Sequence, residues 1–598
     1  MLNLVKGMLK MIKHINFHIC ILLVLGGMLT ACEKETSVEK PNVILILTDD
    51  QGYGDIHMHG NDSISTPNMD LLGTEGVRLD RFYVSPVCAP TRASLLTGRY
   101  HLRTGTHWVT RGGENMHEEE VTLAELFKAN GYATGIFGKW HNGSHYPEHP
   151  LGQGFDEFTG FCAGHWNNYF DTQLEHNGEM LPTDGYITDV LTDHALAFMD
   201  AHADEPFFCY LPYNAPHSPF QVPDKYFNKY KEMGLTDKNA SVYGMVENID
   251  DNISRILSRL EEAGKAEETL IIFITDNGPN GNRFNGGMLG RKGSVHEGGV
   301  RVPSFWYWPG KLAGGRVVEE ITSHIDVFPT LVSLLGLEAV ETLPQDGIDI
   351  SSLLTGKKEE LAERSIFSHQ FSRGGVQNYP GSFRTGQYRF VAYSEAKPEL
   401  YDMEVDPGQS RNLADSLPEL AGSFHEEYQA WIKEMRKDGF TIRPTQVGHE
   451  KASRVVLPAH EAELKGSITY QANQNGWAND WLVNWTSPKD TVSWDIEVVK
   501  EGTYTFSISH CLKEEDIGTE VVLTIGAKQL ENVLKEAFYP EPYPSPDKVD
   551  REQEAYEKDW VSLNLGELTL EKGIYKLQLS AKNIRSEACE LKDLTINR

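Results

Sequence analysis

Cysteine is scarce, with seven in 598 residues. Cys20, Cys32, Cys88, Cys162, Cys209, Cys511 and Cys589 are too scattered for a dense disulfide framework. Cys511 and Cys589 could pair in an oxidising compartment, and spacing alone leaves a bridge and two buried free thiols both open. Basic residues are short as well: Lys plus Arg number 55 against 86 Asp plus Glu, for a net charge of -31. That deficit excludes nonspecific binding of nucleic acid or anionic lipid, and any anionic substrate needs a locally positive site. Ile19 to Leu29 is apolar but too short to span a bilayer. A chain that is 40% hydrophobic, 24% charged and 10% aromatic is not disordered, collagen-like or a multi-span membrane protein.

Lys6, Lys10 and Lys13 precede that apolar run, so residues 1 to 31 read as a secretory signal. Its end, Leu29-Thr30-Ala31-Cys32, resembles a bacterial lipobox, which implies cleavage before Cys32 and a lipid on that cysteine. The expectation is an exported bacterial lipoprotein of the periplasm, outer membrane or cell surface. Residues 32 to 41 are a polar tether.

From residue 42, continuous apolar runs alternate with helical patterns, as in a parallel sheet buried on both faces. Val43 to Leu47, Leu270 to Ile274 and Phe207 to Leu211 are such strands, with Ala133 to Phe137 a weaker fourth. Thr122 to Asn130 carries the capping-box pair Thr122 and Glu125, and Ser241 to Ala263 is a long amphipathic helix. Each strand is followed by polar residues: Asp49 and Asp50; Asp276 and Asn277; Lys139 and His141; Asn214 and His217. Ligands of open α/β sheets bind beyond the carboxyl ends of the strands, so all four deliver their groups to one rim. Asp49, Asp50, Asp276 and the Asn277 amide form an all-oxygen set. It suits a hard cation such as calcium or magnesium rather than zinc.

The most specific segment is Cys88-Ala89-Pro90-Thr91-Arg92, continuing through Leu95-Leu96 to Thr97-Gly98-Arg99. It resembles the sulfatase signature Cys-x-Pro-x-Arg followed by a short helix ending in Thr-Gly-Arg. A second stretch, Arg291-Lys292-Gly293 through Gly298-Gly299 to Pro303, is close to the family's second signature. Leu400-Tyr401-Asp402-Met403 through Asn412-Leu413 resembles its C-terminal subdomain. The resemblance implies an alkaline-phosphatase-like α/β fold and a maturation enzyme that oxidises Cys88 to formylglycine. It implies a metal, calcium ahead of magnesium, held by Asp49, Asp50, Asp276, Asn277 and the modified Cys88. It further implies Arg92, Lys139 and Lys292 as sulfate-binding cations and His141 and His217 as catalytic histidines.

The hydrated aldehyde of such a residue offers two hydroxyls on one carbon. One attacks sulfur, and loss of the other's proton then expels sulfate and restores the aldehyde. By the same resemblance His217 or Lys292 protonates the leaving oxygen, while His141 with Lys139 handles the hydrate's proton. A divalent ion, Arg92, Lys139 and Lys292 outweigh three aspartates, which leaves a positive pocket inside an acidic body.

Residues 42 to 365 read as the catalytic domain and 366 to 447 as its small α+β subdomain, with Glu419 to Lys437 its packing helix. After residue 455 the period changes to two. Val492 to Val498, Tyr504 to Ile508, Val561 to Leu565 and Tyr575 to Leu579 alternate as the strands of a β-sandwich of about 140 residues. The layout resembles carbohydrate-binding modules. Trp477, Trp481, Trp485 and Trp560 could stack on sugars or fill the core, and Trp494 alternates with the core face. The loop around His165 and the residues near Arg373 are candidates for substrate recognition.

The function these features support is a sulfatase acting on a sulfated polysaccharide or its oligosaccharides, with algal ulvan, carrageenan or fucan ahead of glycosaminoglycans. Alternatives are a phosphodiesterase or phosphonate hydrolase of the same superfamily, and a catalytically silent glycan-binding lipoprotein whose Cys88 is never converted.

Overall fold

The apolar runs form the centre of an eleven-stranded sheet. In the computed structural model, residues 4–9, 11, 40–371, 375–472 and 476–598 are described. Ile19 to Leu29, Cys32 and Arg373 lie outside the described residues, and no described helix is long and apolar enough to cross a membrane. The chain divides into Met1–Pro41 and Asn42–Arg598, and the sheet belongs to the second unit.

In chain order the strands are β1 (Asn42–Thr48), β2 (Val77–Tyr83), β3 (Ala133–Lys139), β4 (Glu157–Phe161), β5 (Gln173–His176), β6 (Glu179–Pro182), β7 (Phe207–Pro212), β8 (Thr269–Thr275), β9 (Arg301–Val302), β10 (Ser304–Tyr307) and β11 (Arg316–Ser323). They lie side by side as β11-β2-β10-β8-β1-β7-β3-β4-β5-β6, with β9 against β2. From β8 through β1, β7 and β3 to β4 all neighbours are parallel. β10 runs antiparallel to β8, and β5 and β6 reverse at the far edge. The fold class is the α/β one that the sequence implies, as a mixed sheet.

Alternation within each apolar run divides its residues between two cores. Val43, Leu45 and Leu47 join Leu270, Ile272 and Ile274 on one face. Ile44, Ile46, Ile271 and Phe273 enter the other. Each buried aliphatic side chain contributes about 1.5–3 kcal/mol, which is why both faces of these strands must be apolar.

Helix Leu123–Ala129 starts at the expected capping box, with Thr122 Oγ1 accepting from the Glu125 amide. Helix Asp237–Glu262 begins earlier than its apolar period suggests, because the Thr236 hydroxyl caps it by accepting from the Asn239 amide at 3.3 Å.

Beyond this layer lies a four-stranded antiparallel sheet, Ile366–His369, Gly381–Arg384, Tyr388–Ala392 and Pro398–Asp402. Helix Pro418–Met435 packs on it through Tyr428 and Ile432. The chain then forms two six-stranded sheets around a single apolar core. The alternating segments become Thr491–Val498, Gly502–Cys511, Val561–Leu570 and Gly573–Lys582. Trp494 and Trp485 belong to that core. The short strand Thr445–Val447 pairs with Thr491–Val498. A sandwich strand therefore begins inside the stretch read as the small subdomain, because three residues are too few to show an alternation. Cys511 and Cys589 are buried free thiols.

Candidate active site

Register places the acids. Thr48 of β1 pairs with Thr275 of β8, so Asp49 and Asp276 leave the sheet at the same level on adjacent strands. The ladder continues one step past them: Asp276 N donates to Thr48 O at 3.0 Å and Asp49 N to Ala215 O at 3.1 Å. Asp50 follows with a φ of 67° and His141, beyond β3, with a φ of 63°. Non-glycine residues adopt this left-handed geometry at a cost, and such strain concentrates at functional sites. Gly138 lets β3 bring Lys139 in closely, since a Cβ there would lie 2.1 Å from the Pro212 carbonyl oxygen.

Cys88 opens the helix Cys88–Thr97, and Arg92, one turn on, shares its inner face. The Arg92 guanidinium donates to Asp276 Oδ2 at 2.9 Å and to the Lys139 carbonyl at 2.7 Å. Lys139 Nζ lies 2.5 Å from Asp49 Oδ2, and Lys292 Nζ lies 2.6 Å from Asp50 Oδ1. Asn277 Nδ2 donates to Asp50 Oδ1 at 2.9 Å. The structure thus brings Asp49, Asp50, Cys88, Arg92, Lys139, His141, His217, Asp276, Asn277 and Lys292 together.

The electrostatics follow from burial. Burial alone would raise the carboxyls of Asp49 and Asp50. Lys139, His217 and Arg92 hold Asp49 below the ordinary range, and Lys292 with His217 does the same for Asp50. Asp276 is pushed up to about 7, first by burial and then by Asp49, against the pull of Arg92. Burial pushes the Cys88 thiol up, opposed by Lys139 and Lys292. Burial depresses His141 and His217, the first further by Lys139 and the second by Lys292.

Their tautomers follow from their partners. His141 Nε2 faces the Val109 carbonyl at 2.9 Å and therefore carries its proton, which leaves Nδ1 as a buried, unpartnered acceptor. His217 Nδ1 faces the Ser218 carbonyl at 2.7 Å, which turns Nε2 toward Asp50 at 3.7 Å.

Asp49 Oδ1, Asp50 Oδ2 and Asn277 Oδ1 are among the buried oxygens that lack a hydrogen-bond partner. Asp49, Cys88 and Asp276 offer ligand atoms within 4.8 Å of one another, as do Asp49, Asp50 and His217. Buried polar atoms without partners are uncommon, and a ring of hard oxygens fits a hard divalent cation.

A cavity of about 230 Å³ opens on Cys88, His141, His217 and Lys292, and His165 lines it. Arg373 lies outside the described residues. The cavity also takes Trp108 from the catalytic layer and Trp477, Gln553 and Glu554 from the C-terminal sandwich. Trp477 was singled out among the sandwich tryptophans, but none of these four was expected here. The available signal for Gln553 and Glu554 was the length of their connection, residues 534 to 560, which holds no strand; loops that long are usually functional.

This geometry belongs to an alkaline-phosphatase-like hydrolase. The Sulfatase family matches residues 41–337, and the N-sulphoglucosamine sulphohydrolase C-terminal family matches residues 289–437. Dog N-acetylgalactosamine-6-sulfatase is 32% identical over 56% of this chain and 69% of its own. Human arylsulfatase A is 31% identical over 70% and 93%. Among solved structures, Ps i-CgsB in complex with k-i-k-neocarrahexaose is 29% identical, with a TM-score of 0.63 over 68% of this chain and 95% of that one. PsFucS1 sulfatase from Pseudoalteromonas sp. is 25% identical, with a TM-score of 0.58 over 67% and 92%. The chain belongs to the sulfatase family and is a sulfuric ester hydrolase.

Proposed function

We propose that this sulfatase removes sulfate from a sulfated polysaccharide or its oligosaccharides, algal polymers ahead of glycosaminoglycans, using a formylglycine made from Cys88 and a calcium ion. The observation that carries the chemistry is the cluster of Arg92, Lys139 and Lys292 with Cys88 and the three unpartnered oxygens. The likeness to a structure holding k-i-k-neocarrahexaose supports a glycan substrate, and the 32% identity to N-acetylgalactosamine-6-sulfatase keeps glycosaminoglycans in view. Asp49, Asp50, Asp276 and Asn277 would hold the ion, which when bound draws negative charge from the nucleophile and the sulfate. The formylglycine hydrate supplies the attacking oxygen.

The chain's own groups do the rest. Lys139 and Lys292 fix the sulfate oxygens and stabilise charge that develops on them, while Arg92 fixes Asp276. His141 Nδ1, a free acceptor, takes a proton from the residue-88 hydroxyl. Lys292 is held above the ordinary lysine range, chiefly by Asp50 working against burial, and releases a proton poorly. The donor to the leaving oxygen is His217 or Lys292: His217 turns Nε2 toward Asp50 and would donate from it as the imidazolium, a form that burial and Lys292 disfavour.

Purified, converted protein is expected to release inorganic sulfate, measured by ion chromatography, from at least one defined sulfated oligosaccharide. Release from 4-nitrophenyl sulfate but from no glycan overturns the substrate class. Faster hydrolysis of the matching aryl phosphate diester overturns the sulfate preference.

A further inference from the structure

The C-terminal sandwich reaches into the catalytic pocket. Trp477 Nε1 donates to Gln553 Oε1 at 2.8 Å, so two separate sandwich loops are joined where they meet the cavity. The Ser218 hydroxyl, next to His217, donates to the Glu554 carboxylate. Asn479 Nδ2 donates to the His165 carbonyl at 3.0 Å, and the Arg551 guanidinium to the Asn167 carbonyl at 2.7 Å. Gln221 Nε2 donates to Asp547 Oδ1 at 2.7 Å. These bonds seat the sandwich loops against the catalytic loops that carry His165 and His217.

Charge within the cavity is segregated. Lys292 lines it near Cys88, with Lys139 and Arg92 buried behind that end, and its sandwich side holds a carboxylate, an amide and an indole. The Ser218 hydroxyl donates to the Glu554 carboxylate, which is held below the ordinary carboxylate range against burial. A carboxylate beside the sulfate pocket repels a second anion and accepts hydrogen bonds from hydroxyls. An indole, here half-buried, offers a flat apolar face of the kind that packs on pyranose rings. Trp108 and Trp477 line both this cavity and an adjoining one of about 650 Å³, so the two form one path from Cys88 outward. The adjoining cavity falls in the size range of small-molecule sites, and the inner one is smaller. The matched family regions end at residue 437, before both loops.

We propose that Trp477, Gln553 and Glu554 of the C-terminal sandwich form the sugar-binding wall of the active site. They take the unsulfated face and hydroxyls of the sugar that carries the scissile sulfate, while the chain of its neighbours runs on past Trp108. The sandwich thereby determines specificity at the site of cleavage instead of tethering polymer at a distance. This inference rests on the glycan reading above.

The test uses the full-length, converted protein. Its substrate is whichever of a carrageenan hexasaccharide, a fucan oligosaccharide, an ulvan oligosaccharide and a chondroitin 6-sulfate disaccharide is desulfated fastest. Trp477→Ala is expected to lower kcat/KM on that glycan by about 10- to 100-fold, and Glu554→Gln by about 5- to 20-fold. Trp477→Phe should recover most of the loss. The inhibition constant of inorganic sulfate, which occupies only the cationic base, should stay within about two-fold in all three. Should Trp477→Ala fail to fold, Trp477→Phe and Glu554→Gln carry the test. An unchanged glycan kcat/KM, or a sulfate inhibition constant that weakens in step with it, overturns the inference alone. A wild-type protein that desulfates none of the four glycans yet cleaves 4-nitrophenyl sulfate overturns the glycan reading, and this inference with it.

Discussion

The catalytic layer and the sandwich both bury lysine, and they neutralise it differently. In the sandwich, Lys558 meets Glu590 and lies over the rings of Tyr539, Trp560 and Trp481 at 4.7, 4.9 and 5.2 Å. Glu590 is fully engaged: Oε1 accepts from the Tyr539 hydroxyl at 2.6 Å and Oε2 from Lys558. In the catalytic layer, Lys139 and Lys292 meet Asp49 and Asp50 through one oxygen each, and the other oxygen of each aspartate is unpartnered. A buried ion pair alone is weak evidence of function, since its desolvation cost offsets its attraction. An unused carboxylate oxygen beside a buried lysine is what distinguishes the catalytic site from the Lys558–Glu590 pair.

That contrast breaks most visibly at the proposed nucleophile. Cys88→Ser, in a host that cannot convert serine, is expected to reduce turnover by about 10⁴-fold or more while near-ultraviolet circular dichroism stays unchanged. Retained multiple turnover would remove residue 88 from its role. Next in size, Asp276→Ala should weaken calcium binding by calorimetry about 100-fold or more, because it removes a proposed ligand and leaves Arg92 without its 2.9 Å partner. Lys558→Met, its counterpart in the sandwich, should leave calcium binding as it is. If it weakens binding equally, the two regions are not distinct in the way drawn here.

A third test acts on the sandwich core. Trp485→Ala empties a fully buried position and should cost about 3–5 kcal/mol of stability by denaturant unfolding. The inhibition constant for inorganic sulfate should not move at a temperature where the protein stays folded.

The smallest effect lies at the seam. Glu114 of the catalytic layer is pushed up from 4.5 to about 7 by burial, and Glu461 of the sandwich is raised by its own burial and then by Glu114. Unfolded, Glu114 ionises above 4.5, whereas folded it holds its proton until about 7. The stability this proton confers is therefore complete below pH 4.5 and lost as pH rises through about 7. Glu114→Gln should raise stability at pH 8 by on the order of 1–3 kcal/mol and change nothing near pH 4. An equal shift at both values would trace the effect to packing.

The two regions also differ in how much of them could be read from sequence. The central strands were legible because strands buried on both faces must be apolar throughout, and each ends in the residues that do chemistry, as Thr48 does before Asp49. The Cys88 to Arg99 segment was legible because a nucleophile, a proline in the first turn and an arginine one turn later form a local pattern. The sandwich showed its alternating strands but not its contribution to the pocket. Gln553 and Glu554 follow no period, and they meet His217 across more than three hundred residues of chain. Only assembly of the two regions brings them there. The tautomers of His141 and His217 were hidden for a related reason, since they depend on the carbonyls of Val109 and Ser218.

The pairing of Thr48 with Thr275 has a consequence for how the enzyme comes into being. Asp49 and Asp276 converge only if β1 and β8 assemble in that register. A slip of one residue would turn each strand's side chains to the opposite face and separate the two carboxylates. A cation that binds the finished rim therefore binds the correctly assembled sheet and no shifted competitor. Mass action then draws the folding chain toward that one arrangement. An ion held there for the proposed chemistry would also act as an inspector of the sheet beneath it.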